Sequence, residues 1–140
     1  MDGNDALAVL PGGRLDTVSF VMNYVEFRIG YNVLRALTPP VVLGVGGELH
    51  RFPEPGSRDA LCRLIDTEVE AAAEVGAWES DDRRIAVRTD DGQILTIPFS
   101  DDAGGPEWAH LVPAGARGEL QVSEMFIWSM HLHPANSRAS

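Results

Sequence analysis

Two aspartate pairs, Asp81-Asp82 and Asp101-Asp102, and the group Glu107, Trp108 and His110 are the residues of this chain whose types and spacing could do chemistry. Four carboxylates in one place repel one another unless water, salt or a cation intervenes. A hard cation such as Ca²⁺ takes roughly six to eight oxygen ligands, and two loops carrying these pairs could supply several. No calcium-loop spacing is present, and aspartate also favours turns, where it bonds its own backbone. The same cluster fits a docking patch for a basic partner, because like charge gathered in one place steers association. Glu107, Trp108 and His110 would make a pocket if the ring lined a concavity and the two polar groups converged on it. A glutamate at a helix start after Pro106 accounts for Glu107 without catalysis.

The other candidates are weaker. His131 and His133 would share one face of a strand, but a catalytic zinc needs three protein ligands, and neither His50 nor His110 is spaced to join them. Cys62 lies between Leu61 and Leu64, where a small buried apolar side chain is expected. Gly44-Val45-Gly46-Gly47 lacks the lysine and the following helix of a phosphate loop, so it reads as a turn. No serine occupies a Gly-x-Ser-x-Gly elbow. No metal and no cofactor is expected.

Composition narrows the field further. All eleven basic residues are arginine, which removes Schiff-base and P-loop lysine chemistry. The net charge of −10 disfavours nucleic acid, whose phosphates require clustered cations. No apolar run approaches the roughly 20 residues of a membrane helix. The start carries acids and no base, and a single cysteine excludes an internal disulfide, so a cytoplasmic address is the default expectation.

These residues must be positioned by a sheet. From Arg83 to Phe99 two alternating segments flank Asp90-Asp91-Gly92. A three-residue loop there pairs Val87 with Leu95 and Ile85 with Ile97; a one-residue slip would mix the faces. Turns at Met22-Asn23 and Gly30-Tyr31 predict a three-stranded meander with Phe20 by Val25, Phe27 by Leu34, and Glu26 facing Arg35. Ser57 reads as the N-cap of a helix from Arg58 to about Asp66. Residues 67–75 read as a strand with Val69, Ala71, Ala73 and Val75 inward and Glu68, Glu70 and Glu74 outward, although a continued helix fits as well. Residues 120–130 are expected to close the sheet. Residues 1–13 and 134–140 read as flexible tails, with no internal repeat between them. The expected fold is α+β, a single domain of about six to eight antiparallel strands, curled toward a half-barrel, with one main helix.

The segments Val18 to Val25, Asp59 to Ile65, Asp90-Asp91-Gly92 and Gly105-Pro106-Glu107 resemble an uncharacterised family of small acidic proteins from high-GC bacteria, a domain of unknown function. The resemblance spans roughly Leu15 to Trp128. It implies the fold and transfers no catalytic residue.

Two functions remain open. One is a non-enzymatic acidic interaction module binding a basic protein, for instance as an immunity-type protein. The other is a small-molecule or divalent-metal-binding protein with weak hydrolase activity. A homodimer suits either, since an open sheet leaves edges to cover.

Overall fold

A computed structural model describes residues 2–77, 82–100 and 105–130 of this chain. Antiparallel sheet dominates. β1 (Arg14–Val21), β2 (Tyr24–Ile29) and β3 (Asn32–Ala36) form the expected meander. Phe20 lies opposite Val25, Phe27 opposite Leu34, and Glu26 opposite Arg35. Val25, Phe27, Ile29 and Leu34 are fully buried, so alternation has turned one face to the interior. After β4 (Val41–Leu43), β5 (Leu49–Arg51) and a strand at Thr67–Val75, β6, come β7 (Arg84–Thr89) and β8 (Ile94–Pro98). Val87 faces Leu95 and Ile85 faces Ile97, all four fully buried. Gly92 takes φ 90° in the three-residue loop, a conformation that costs glycine little. β9 (Glu107–Val112) and β10 (Phe126–Ser129) complete one open ten-stranded sheet, ordered β10-β9-β3-β2-β1-β6-β7-β8-β4-β5.

Several expectations need correction. Among the described residues the strands number ten, beyond the six to eight expected, and the helices are minor. The opening segment, expected as a loose tail, carries helix α1 (Gly3–Leu7), closed by a capping box between Asp2 and Asp5. Leu7 and Leu10 are fully buried, and burying two such side chains from water contributes about 3–6 kcal/mol. The second helix, α2, spans only Ser57–Cys62, and Gly56 caps it at φ 86° without a side-chain bond. Ser57 is buried instead of capping. Cys62 is exposed, because the core face of α2 belongs to Ala60, Leu61 and, just beyond, Leu64. No helix among the described residues is long and apolar enough to cross a membrane.

The chain also contains a repeat that its alternation hides. Asp5-Ala6-Leu7 with Leu10 recurs as Asp59-Ala60-Leu61 with Leu64, and the Ala and Leu positions are buried in both copies. Each copy opens a unit of helix, three-stranded meander and hairpin. The hairpins are exchanged: β4-β5 of the first unit pairs with β8, and β9-β10 of the second pairs with β3. Both first strands bulge, at Asp16 in β1 and Glu70 in β6, and each extra carboxylate meets an arginine of the next strand. Asp16 binds Arg28 at 2.8 Å and Glu70 binds Arg88 at 3.5 Å. The two meanders pair directly where Arg14 and Leu15 meet Glu68 and Thr67, after which β1 and β6 diverge.

The bulge at Glu70 overturns the expected faces of β6. One extra residue inverts all that follow, so Glu74 falls opposite the buried Ile85 and points inward.

Candidate functional site

The polar groups of Glu107 and His110 do meet, on the outer face of the sheet. A bulge at Trp108 in β9 brings this about, since the extra residue puts Glu107 on the side of His110 and turns the Trp108 ring inward. There Trp108 stacks on Phe99 with ring centroids 4.9 Å apart. His110 Nε2 lies 2.5 Å from Glu107 Oε1, and its Nδ1 lies 2.9 Å from an Arg35 guanidinium nitrogen. Arginine only donates, so Nδ1 is the acceptor and the ring proton sits on Nε2, donated to Glu107. Arg35 in turn donates to Glu26 at 2.8 Å and covers the Tyr24 ring. Cross-strand register produces this belt, with Glu26, Arg35 and His110 side by side on β2, β3 and β9. Both imidazole nitrogens are occupied, which leaves no atom of His110 to take a proton from a substrate.

Of the four aspartates expected at the open end of the β7-β8 hairpin, only Asp82 is described; Asp81, Asp101 and Asp102 lie outside the described residues, as do Trp78, Glu79, His131 and His133. The register they required is present: the Phe99 amide donates to the Arg83 carbonyl at 2.9 Å. At this end Arg83 turns inward, its guanidinium 4.9 Å from the centre of the Phe99 ring and 5.9 Å from that of Trp108.

Arg83 faces Glu74 across 3.8 Å. The Glu74 carboxylate accepts the Trp128 indole N–H at 2.8 Å, and its backbone N–H donates to the Asn4 side chain of α1 at 2.8 Å. Burial raises the pKa of Glu74 above its ordinary value, against the lowering from the Trp128 hydrogen bond and the Arg83 charge. Burial also lowers that of Arg83. Gly3 lies flat over the pair: a Cβ there would stand 2.5 Å from Glu74 Oε1 and 2.6 Å from Trp128 Nε1. The Glu74–Trp128 hydrogen bond thus lies beneath α1, and with the Asn4 bond it clamps this helix to the sheet.

Beside α1 the surface opens into a groove. Ala6, Val9, Leu111, Pro113 and Phe126 form an apolar floor, and Asp5, Glu124 and Gln121 form the rim. Its volume is about 170 Å³, comparable to apolar cavities of about 150 Å³ that admit a benzene-sized group. α1 and the long β9-β10 connection supply the lining, so reading residues 1–13 as a tail conceals it. The repeated Asp-Ala-Leu motif was the signal that could have found it.

No group of three or more histidine, cysteine, aspartate or glutamate side chains among the described residues is arranged to hold a metal ion. No protein-family model, curated protein or solved structure matches the chain.

Proposed function

We propose that this protein is a non-enzymatic interaction module that binds a basic protein partner through electrostatic complementarity. The observation that carries the reading is where the arginines go. Arg14, Arg28, Arg35, Arg83 and Arg88, five of the eleven, each form an ion pair with one of the protein's own carboxylates. The 21 acidic residues outnumber the 11 arginines by ten, an excess that gives the molecule a net negative field. Such a field raises association rates with cations and repels anionic partners. An immunity-type protein neutralising a basic toxin is one form this module takes. The engagement of both His110 nitrogens weighs against the weak-hydrolase alternative, because that ring cannot serve as a general base while Arg35 and Glu107 hold it.

The test is a panel of cationic, neutral and anionic peptides of matched length and apolar content, with binding measured at low and high salt. Binding confined to the cationic members and weakening several-fold with salt supports the reading. Binding indifferent to peptide charge contradicts it.

A further inference from the structure

We infer that the groove beside α1 is the seat of the partner, and that its occupant is an extended basic segment carrying one large apolar side chain flanked by arginine or lysine. The inference rests on the basic-partner reading and adds the place and the chemistry of recognition to it.

The internal repeat isolates what the fold requires from what it does not. Val42 faces Leu95 in the first unit's hairpin as Leu111 faces Leu34 in the second's, so these positions correspond. His50, opposite Val42, then corresponds to Phe126, opposite Leu111. Two residues past each, Gly44 corresponds to Pro113, and on the helices Arg63 corresponds to Val9. Around α2 and the β4-β5 hairpin the repeat therefore has arginine, glycine and histidine where α1 and the β9-β10 hairpin have valine, proline and phenylalanine. The buried Ala-Leu-Leu face of the helix is kept in both. The repeat thus does not call for an apolar side chain at Val9, which is 47% exposed, whereas Phe126 also packs on Trp128 with ring centroids 4.6 Å apart. A valine that exposed, above an apolar cavity and on a chain of net charge −10, is a surface suited to being covered.

Charge complementarity selects the occupant. Asp5 and Glu124 stand on the rim of the apolar floor, so a side chain entering the groove brings its neighbours against carboxylates. A segment with acidic flanks would meet like charge, and a purely polar basic segment would leave the floor wet. The cavity takes one leucine-, methionine- or phenylalanine-sized group, the pattern of a single anchor with charged flanks.

The test transplants the residues around α2 and the β4-β5 hairpin into the groove beside α1. Val9→Arg and Phe126→His are each built in the full-length protein, with Glu124→Gln as a rim variant and Arg63→Val as a control on the other helix. The probe is a short peptide with one leucine between arginines, alongside the same peptide with the leucine replaced by serine. Wild-type protein should bind the leucine peptide at least about tenfold more tightly than the serine peptide. Val9→Arg should abolish that difference while the melting temperature stays near wild type, and Phe126→His should abolish it with some loss of melting temperature, since Phe126 also packs on Trp128. Glu124→Gln should weaken binding about two- to fivefold and flatten its salt dependence. Arg63→Val should leave binding unchanged.

Cationic binding that survives Val9→Arg and Phe126→His overturns the groove and leaves the general reading standing. Failure of every cationic peptide to bind wild-type protein overturns both. A many-fold gain in affinity on deleting residues 131–140 would make the chain's own end the occupant. A dimer dissolved by Val9→Arg would make a second copy the occupant. Either result overturns the proposed partner. Should a groove variant unfold, protection of the groove amides by the leucine peptide in wild-type protein decides in its place, and protection elsewhere overturns the assignment.

Discussion

Glu74 and Trp128 stand where the other half of the molecule stacks Phe20 on Phe52. Phe20 and Glu74 are each the fourth residue after the bulge of their strand, and Phe52 and Trp128 each lie two beyond the hairpin residue facing the core. In the first unit the rings pack with centroids 5.8 Å apart, and Arg58 of α2 lies over both. In the second a carboxylate accepts an indole proton at 2.8 Å and Asn4 of α1 reaches over it. One site of the repeat is an apolar stack, and its counterpart is a hydrogen bond with a buried charge.

Removing that carboxylate should be costly. Glu74→Ala strips the hydrogen-bond acceptor from a fully buried Trp128 and removes one carboxylate facing Arg83, whose side chain is 8% exposed. A loss of about 2–4 kcal/mol is expected, read by chemical denaturation. A change within about 0.5 kcal/mol would mean that the clamp on α1 carries no weight.

The same group sets a pH dependence of unusual sign. Folding raises the Glu74 pKa from its ordinary 4.5, so the unfolded chain ionises first as pH rises. Stability from this group is therefore fully present below 4.5 and declines as pH climbs through the raised folded value. Glu74→Gln keeps an acceptor for Trp128 and cannot titrate. The stability of wild type minus that of Glu74→Gln should fall between about pH 4 and neutrality. A difference that rises over that range would contradict burial as the dominant influence on this carboxyl.

Asp91 works in the opposite direction. The Thr89 hydroxyl donates to it at 2.5 Å and the Gln93 side chain at 2.8 Å, and these bonds lower its pKa from 3.8. Its contribution is present above 3.8 and is lost as pH falls through the lower folded value. Asp91→Ala should cost about 1–3 kcal/mol near neutrality, since Thr89 and Gln93 are buried and lose a partner, and the cost should shrink in acid. A cost that stays constant down to about pH 2 would remove the carboxylate from the explanation.

Gly3 offers a steric test of how closely α1 sits on its clamp. Alanine is the better helix former by about 1 kcal/mol, so in an exposed helix Gly3→Ala would stabilise. Here the added methyl would lie 2.5 Å from Glu74 Oε1, and a net loss of about 1–3 kcal/mol is expected by thermal denaturation. A gain would mean that α1 stands off the sheet.

Much of the sheet was legible in the sequence because its hairpins alternate cleanly. Phe20 with Val25, Phe27 with Leu34 and Val87 with Leu95 follow from turn position and parity alone, and all three pairs are observed. Parity fails after a bulge, which announces itself by no residue type. Glu70 and Trp108 each invert what neighbours them, which is why Glu74 was expected in solvent and why Trp108 parts company with His110. The fold of the opening segment was concealed differently. α1 is only five residues long, too short for its periodicity to stand out, and its burial depends on β6 and β10 far along the chain. The groove was legible only through the repeated Asp-Ala-Leu motif, since Val9 and Phe126 come to one groove only after the helix docks.

The most direct measurement is the association rate of the leucine-anchored cationic peptide with the wild-type protein as salt rises from about 0.1 M to about 1 M, which shortens the screening length from about 10 to about 3 Å. A rate that falls at least several-fold across this range, with the serine peptide bound weakly throughout, is the result expected of an acidic module seating a basic segment. A rate indifferent to salt, or equal binding of an anionic peptide, would contradict it.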